Sequence, residues 1–236
     1  MTEPRFDAVI FDAYGTLLDV SAAMSRHARC LGGDWQAFAM EWRAKQLEYS
    51  WIDSLTVHRT RRDFAACTAD ALDYVLARHH IDTGLRAELL AAYDHLDAYA
   101  EVPTILALLR EYGLRLAILS NGTPTMLTAA CHAAGITALL DAIISAEQAN
   151  IFKPAPMVYS LVSSELGIMP NRALFVSGNP WDSQAALVNG FSVVRINRRG
   201  DPDEYELRRH LIAELPDLTG LSALLRPSGR SEGRMG

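Results

Sequence analysis

The sequence has little of what marks secreted, zinc-binding or membrane proteins. Only three cysteines occur in 236 residues, Cys30, Cys67 and Cys131, and they lie far apart with no CxxC pair. This spacing excludes a disulfide framework and a cysteine zinc site, and it fits a reducing compartment. No apolar stretch reaches the roughly 18 residues that a membrane span needs. The N-terminal MTEPRFD lacks the basic and then apolar layout of a signal peptide. We therefore expect a cytoplasmic protein.

An excess of positive charge is also missing. The formal net charge is −6, so the chain offers no general attraction to nucleic acid or to an anionic membrane. A small anionic substrate would need a local positive site. The chain is 50% hydrophobic and 21% charged, as ordinary globular proteins are. Its length suits one large domain or a domain with an insertion.

Proline is absent from the stretch 21–99, which also has few strand signals. Roughly a hundred residues separate the first predicted strand from the next, far more than an ordinary connection has. The stretch 21–99 makes up most of this separation. Its apolar and aromatic residues fall at mixed helical spacings. They include Trp35, Phe38, Trp42, Leu47, Trp51, Phe64, Leu72, Val75 and Leu76. We interpret the stretch as an all-helical insertion.

Outside this stretch, apolar runs typical of buried strands occur at 6–11, 114–119, 142–145, 173–176 and 192–196. Most are separated by segments long enough for a helix, and the pairs Thr123-Pro124 and Asn179-Pro180 look like helix starts. Alternating strands and helices predict an α/β fold with a doubly wound parallel sheet, a Rossmann-like core. We expect a catalytic core at 1–20 and 100–225, a helical cap at 21–99 and a disordered polar tail at 226–236.

Polar side chains follow several of the predicted strands. Asp12 and Thr16 follow the first, and the others are Ser120, Asn121, Lys153, Ser177, Asn179 and Asp182. The carboxyl ends of parallel strands share one sheet edge, where open α/β folds bind ligands and where helix N-termini favour anions. Asp12, at the end of a buried strand, is therefore a candidate nucleophile.

Position 14 narrows the chemistry. A carboxylate two residues after Asp12 could serve as a general acid or lie beside a metal, but the chain has Tyr14 there. The sequence thus keeps the candidate nucleophile and lacks the acid.

The candidate residues above, and also Arg43 and Tyr159, have purely structural interpretations as well. Asp12 alone could cap a turn, and Lys153 alone could be a solvated surface lysine. Asp182, third in a helix that Asn179 would cap, could satisfy the helix dipole. Arg43 could be solvated or paired with Glu48. Tyr159 could be a core residue on a helix face, and the spacing of the seven histidines predicts no metal site.

The ordered set Asp12 with Thr16, Ser120-Asn121, Lys153 and Asp182 resembles the four motifs of the haloacid dehalogenase superfamily. The segments FDAYGTLLDV, WRAKQLEYSW (42–51), LAILSNG and VSGNPWD resemble more narrowly the L-2-haloacid dehalogenases. The likeness covers about 7–225. The departures are Gly178, where a second serine is common, Pro180, where small residues are also found, and Phe152, which replaces a frequent tyrosine.

The resemblance implies a covalent mechanism for short L-2-haloacids. Asp12 would displace the halide from the backside and form an ester, which water would cleave to the inverted D-2-hydroxy acid. The implied catalytic residues are Asp12, Thr16, Lys153, Ser177, Asn179 and Asp182. Those implied for substrate or halide binding are Tyr14, Arg43, Leu47, Ser120, Asn121, Tyr159 and Trp181. Arg43, Asn121 and Trp181 match the halide cradle of the family.

The absence of an acid at position 14 agrees with this chemistry. A phosphatase of the same superfamily protonates a leaving alkoxide, whereas halide is a very weak base and leaves without a proton. Mg²⁺ prefers several carboxylate oxygens together with substrate phosphate, and the fourth motif here offers only Asp182. We expect no cofactor and no metal, a homodimer, and no nucleic-acid or membrane partner. A Mg²⁺-dependent phosphatase, a hydrolase that opens a strained ring or acts only on haloacetate, and a non-enzymatic partner-binding relative stay open as alternatives.

Overall fold

The computed structural model describes residues 6–56 and 62–227. Most of the tail predicted at 226–236 lies outside the described residues. The strands are β1 Ala8–Phe11, β2 Leu18–Asp19, β3 Asp97–Ala98, β4 Arg115–Ser120, β5 Ala142–Ser145, β6 Ala173–Ser177, β7 Ser192–Ile196 and β8 Ala213–Leu215. The α-helices are α1 Val20–Ser25, α2 Ala28–Leu31, α3 Trp35–Leu55, α4 Phe64–Arg78, α5 Arg86–Ala91, α6 Val102–Glu111, α7 Pro124–Ala133, α8 Pro156–Leu166, α9 Pro180–Val188 and α10 Leu221–Leu224.

Six strands form one sheet in the order β5-β4-β1-β6-β7-β8, and every neighbouring pair is parallel. The chain builds outward from β1 on one side through β4 and β5, and on the other through β6, β7 and β8. The end of β1 therefore lies at the point where the strand order reverses. Ligands of open α/β sheets bind at such a point.

Both faces of this sheet are covered, and its central strands β4, β1 and β6 are accordingly mostly apolar. Val9 and Phe11 of β1 pack in one core cluster with α6, α7 and α10, while Ala8 and Ile10 pack in the other with α8 and α9. The doubly wound α/β fold predicted from the sequence is confirmed.

The predicted strands agree closely with the observed ones. The runs at 142–145 and 192–196 match β5 and β7 at both ends. β1 begins two residues later than predicted, β4 is shifted by one residue, and β6 extends one residue further. Prediction missed β2, β3 and β8, because strands of only two or three residues carry no readable alternation.

Between β2 and β3 the described elements of the insertion are all helical, from α1 to α5. β3 pairs antiparallel with β2, Leu18 opposite Ala98 and Asp19 opposite Asp97, so the two linkers of the cap run side by side. The helices α3 and α4 pack together through buried residues that include Phe38, Trp42, Phe64, Leu72 and Val75. The helical cap is thus present, and its limits at 21 and 99 stay a prediction.

In the part of the chain that the structure describes, no helix combines the length and the apolar character needed to cross a bilayer.

Candidate active site

Asp12 lies one residue beyond β1, at the carboxyl edge of the sheet, and is 4% exposed. Its Oδ2 accepts hydrogen bonds from Thr16 Oγ1 (3.0 Å) and Asn179 Nδ2 (2.8 Å). Its Oδ1 accepts from Lys153 Nζ (3.3 Å). Three donors from three separate loops therefore fix the orientation of one buried carboxylate.

A tight turn after β1 brings Thr16 back over Asp12. The carbonyl of Ala13 accepts from the amides of Leu17 and Leu18, both at 3.0 Å. Gly15 has φ of 82°, a left-handed conformation that glycine adopts without steric cost. Thr16 Oγ1 also accepts from the amide of Gly178 (2.8 Å), so this one hydroxyl links two loops to the nucleophile candidate.

Lys153 is fully buried. Its Nζ donates to Asp12 Oδ1 and to Asp182 Oδ2 (2.9 Å), and its backbone amide donates to Asn121 Oδ1 (2.7 Å). The ammonium also lies 5.0 Å from the ring centroid of Phe175. A buried charge needs such partners, so the solvated-lysine interpretation is wrong.

Asp182 lies in the first turn of α9 and is completely buried. Its Oδ2 also accepts from Ser177 Oγ (2.9 Å), and its Oδ1 accepts from Tyr159 OH (2.5 Å). Burial raises the pKa of Asp182, while the nearby Lys153 cation acts to lower it. Asp182 is therefore a candidate base that lies beside Asp12 and shares its lysine.

Tyr159 contacts the site and also packs in the core. Its hydroxyl donates to Asp182, and its ring packs against Phe175 and Phe191 at centroid distances of 5.8 and 6.5 Å. Burial and the Asp182 charge raise the pKa of Tyr159 well above its usual value, so the hydroxyl keeps its proton.

Asn179 occupies the N-cap position of α9, as predicted, with Pro180 next in the helix. Its side chain makes no capping bond. Instead, Nδ2 donates to Asp12 and to the carbonyl oxygen of Tyr14 (3.3 Å). At Thr123 the same sequence pattern gives true capping, since Thr123 Oγ1 accepts from the amide of Met126 (3.2 Å).

The Tyr14 side chain is buried between aromatic rings, with centroids 6.5 Å from Phe64 and 5.9 Å from Tyr93. Among the described residues its hydroxyl has no hydrogen-bond partner, and burial raises the pKa of Tyr14 far above its usual value. A Cβ on Gly122 would lie 2.9 Å from this hydroxyl oxygen. The ring therefore needs glycine at position 122.

The cap contributes Arg43 and Leu47 from α3. Both line a cleft of about 680 Å³ between α3 and the sheet edge, opposite Tyr14 and Asn179. Arg43 Nη1 donates to Gln46 Oε1 (2.5 Å), and its guanidinium carbon lies 6.0 Å from the Tyr14 ring centroid. The suggested pairing of Arg43 with Glu48 is wrong, because Glu48 pairs with Lys45 (2.9 Å).

The remaining predicted residues lie around the same edge. Asn121 Nδ2 is buried and has no hydrogen-bond partner among the described residues. Ser120 Oγ accepts from the amide of Gly122 (3.3 Å), a local bond within its loop. Trp181 stands edge-on to Trp51 of α3, with centroids 5.6 Å apart, and so joins the core to the cap.

A model of the haloacid dehalogenase-like hydrolases matches residues 6–190. The chain belongs to this family. It is 42% identical over 220 residues to (S)-2-haloacid dehalogenase 4A of Burkholderia cepacia, covering 92% of this chain and 94% of that protein. A crystal structure of a dehalogenase with an intermediate complex is 40% identical, with a TM-score of 0.91, and covers 95% of this chain and 99% of that one. The L-2-haloacid dehalogenase of Xanthobacter autotrophicus, solved with covalently bound chloropropionic acid, is 34% identical, with a TM-score of 0.82, and covers 95% and 100%.

The donor set of this site does not suit Mg²⁺. Mg²⁺ prefers several oxygen ligands in octahedral geometry. Asp12 and Asp182 are both bonded to Lys153, and position 14 carries a tyrosine. Over residues 6–56 and 62–227, no group of three or more histidine, cysteine or acidic side chains is arranged to hold a metal.

Sequence reasoning missed one residue of this haloacid dehalogenase-like site. Arg198, two residues beyond β7, lines the cleft, and its Nη2 donates to the carbonyl oxygen of Thr16 (2.9 Å). The sequence does place Arg198 just after a predicted strand, and therefore at the same sheet edge. It does not show that the Arg198 side chain reaches back from there to the loop after β1.

Proposed function

We propose that this chain hydrolyses short-chain (S)-2-haloacids, the L enantiomers, to D-2-hydroxy acids without a metal. The observation that carries the proposal is the Asp12 carboxylate, oriented by Thr16, Asn179 and Lys153 in a site that has no acid at position 14. Similarity to (S)-2-haloacid dehalogenases over most of the chain supports the substrate class.

In the proposed first step, one Asp12 carboxylate oxygen attacks C2 of the substrate opposite the halogen. A carbon–oxygen bond forms, the carbon–halogen bond breaks, and the halide leaves with the bonding electron pair. Charge grows on the halide in the transition state, so donors directed at it stabilise the transition state more than the ground state. Arg43 and Asn121 are the proposed donors, and the Asn121 amide nitrogen has no hydrogen-bond partner within residues 6–56 and 62–227.

In the proposed second step, water attacks the Asp12 carbonyl carbon of the ester. Asp182 accepts a proton from this water, and the ester bond to the substrate oxygen breaks. The released alkoxide takes up a proton and leaves as the 2-hydroxy acid. Its new oxygen therefore comes from Asp12, and the water oxygen stays in the regenerated carboxylate. Ser177 and Tyr159 hold Asp182 through its two oxygens.

We further propose that residues 21–99 act as a cap over a core made of 1–20 and 100–225. A closed cap excludes water from the Asp12 carboxylate, which would then be a stronger nucleophile. Leu47 supplies an apolar wall, and Trp181 with Trp51 joins cap to core. Ser120 would orient the substrate carboxylate from the opposite loop.

Chloride release tests the proposal. Purified protein is incubated with L- and D-2-chloropropionate and with chloroacetate, each in the presence of chelator, while an aryl phosphate is tested with Mg²⁺. We expect chloride from the L enantiomer, none from the D enantiomer and no phosphate release. The matched control is Asp12→Asn, which should release no chloride and retain the parent circular dichroism spectrum.

Other outcomes select the alternatives. Phosphate release without chloride release would support the phosphatase. Chloride from chloroacetate alone would restrict the substrate class, and silence with every substrate would support a binding protein.

Assembly and compartment are also proposals. We infer a homodimer, supported by exposed apolar side chains on the cap helices, Met40, Ile52, Leu55 and Tyr74. We infer a cytoplasmic location, supported by the free cysteines. Light scattering should give twice the chain mass of 26.0 kDa. A mass of one chain at micromolar concentration would contradict the dimer.

A further inference from the structure

Arg198 contacts both linkers of the cap at once. Its Nη2 donates to the carbonyl oxygen of Thr16 (2.9 Å), which lies just before β2. The same nitrogen pairs with Glu101 Oε1 (2.8 Å), just beyond β3. The guanidinium carbon lies 3.5 Å from the centroid of the Tyr99 ring. With 16% of its side chain exposed, Arg198 is largely removed from water.

The loop that carries Arg198 is itself firmly held. The amide of Asn197 donates to the carbonyl of Leu215 (2.7 Å). The Asn197 side chain donates to the Asp201 carbonyl and accepts from the Asp201 amide, both at 2.9 Å. Arg198 therefore projects from a fixed point of the core, as a positioning group must.

The two linkers are joined directly as well. The amide of Tyr99 donates to the carbonyl of Leu17 (3.1 Å), next to the β2–β3 pair. Thr16 stands at the start of this arrangement, and its hydroxyl holds Asp12 Oδ2. One chain of bonds thus runs from Arg198 through the Thr16 backbone and side chain to the Asp12 carboxylate.

We propose that Arg198 is a positioning residue that couples the two cap linkers to the nucleophile loop and so sets the orientation of Asp12. It acts through Thr16 and needs no contact with substrate. A planar guanidinium can stack on Tyr99 while donating to a carbonyl and a carboxylate, which a lysine ammonium cannot reproduce. The catalytic part of this inference rests on the proposed function, and the structural part does not.

Hydrogen exchange followed by mass spectrometry tests the structural part on the full-length protein. In Arg198→Met we expect faster amide exchange in peptides that cover 12–19 and 97–102. Arg199→Met is the matched control, because Arg199 is the adjacent arginine, is 71% exposed and pairs with Asp201 in its own loop (2.8 Å). Its exchange in both peptides should equal that of the parent. Unchanged exchange in Arg198→Met would overturn the inference whether or not the protein releases chloride.

Single-turnover kinetics tests the catalytic part. Arg198→Met should slow ester formation at least about tenfold, with little change in KM, since small misplacement of a reacting group costs that much or more.

The loss of Arg198 also leaves Glu101 without its cation, which would lower the melting temperature. The double variant Arg198→Met/Glu101→Gln removes that charge, so we expect it to recover melting temperature and not rate. Recovery of both would show a merely structural role. A parent protein that releases no chloride would refute the proposed function, and the exchange comparison would still decide the positioning role.

Discussion

At the scale of single residues, the site is organised around one buried cation between two carboxylates. Lys153 Nζ lies 3.3 Å from Asp12 Oδ1 and 2.9 Å from Asp182 Oδ2. Without the cation between them, two buried carboxylates this close together would repel each other. Lys153 therefore supplies the positive charge between the proposed nucleophile Asp12 and the proposed base Asp182.

Replacement of Lys153 tests this arrangement. Lys153→Met removes the cation and keeps most of the side-chain volume, and we expect ester formation to slow by at least about a hundredfold, as for loss of one preorganised donor in other enzymes. The sequence supplies a matched control, because its only other lysine is Lys45, whose surface pairing with Glu48 contributes little. Lys45→Met should retain parent activity. Chloride release measures both, and equal rates for the two variants would contradict the role of Lys153.

The pH dependence of ester hydrolysis tests Asp182. Burial raises the pKa of Asp182, and a base must be ionised to accept a proton. As pH falls through the raised pKa, the ionised fraction falls, so the hydrolysis rate should drop on the acid side at a pH above the ordinary aspartate value of about 3.9.

The variant Tyr159→Phe tests whether Asp182 is the group that titrates. The Tyr159 hydroxyl donates to Asp182 Oδ1 and lowers the pKa of that carboxyl. Its removal should move the acid limb of the hydrolysis rate to higher pH. A limb that stays in place or moves to lower pH would show that Asp182 is not the titrating base.

Several residue roles could be predicted from the sequence, and others could not. Asp12, Thr16, Lys153 and Asp182 meet because parallel strands end at one edge, a property that strand patterns carry. The Asn179 side chain could not be assigned from the residues alone, because an N-cap position permits either capping or, as here, a bond to Asp12 across the sheet edge. The choice depends on the distance between two loops, which local sequence does not contain.

At the scale of elements, the turn after β1 and the loop between β6 and α9 approach each other closely. A Cβ placed on Gly178 would lie 2.5 Å from the carbonyl oxygen of Gly15, a contact that requires one loop to move. The same approach allows the Gly178 amide to reach Thr16 Oγ1. Glycine at position 178 thus allows the two backbones to come together beside Asp12.

Gly178→Ala should therefore cost both stability and rate. Overpacking against a backbone oxygen typically costs about 1–3 kcal/mol, and separation of the loops would weaken the Thr16 and Asn179 bonds to Asp12. Gly33→Ala is the control, since a Cβ there meets nothing within 4 Å and the residue is not left-handed. Melting temperature and chloride release report the two effects. A Gly178→Ala variant as stable and active as Gly33→Ala would contradict the close approach.

The predictability of the elements follows from burial. β1 and β6 are buried along their whole length and appear in the sequence as apolar runs, whereas β7 carries the buried Arg195 within its run. The helix α3 is less regular, because it buries the polar Gln46, Ser50 and Asp53 on the same side as Phe38 and Trp42. The helical spacing of α3 could be predicted from the sequence. The polar contacts of its buried face could not, because they depend on α4.

At the scale of the whole molecule, the site is divided between two parts of the fold. The sheet edge carries the proposed reacting groups, and α3 carries Arg43 and Leu47 across the cleft. The insertion could be recognised from the length between the first two predicted strands. Its two linkers are paired through β2 and β3 and contacted by Arg198, and strands of two residues leave no pattern in the sequence.

The central claim is that an oxygen of Asp12 attacks the substrate carbon and becomes the oxygen of the product. Single turnover in water enriched in oxygen-18, with enzyme in excess over L-2-chloropropionate, tests it most directly. The account predicts an unlabelled 2-hydroxy acid from this first turnover and one labelled oxygen in the peptide that contains Asp12. A labelled product together with an unlabelled Asp12 would show that water attacks the substrate directly, and would contradict the account.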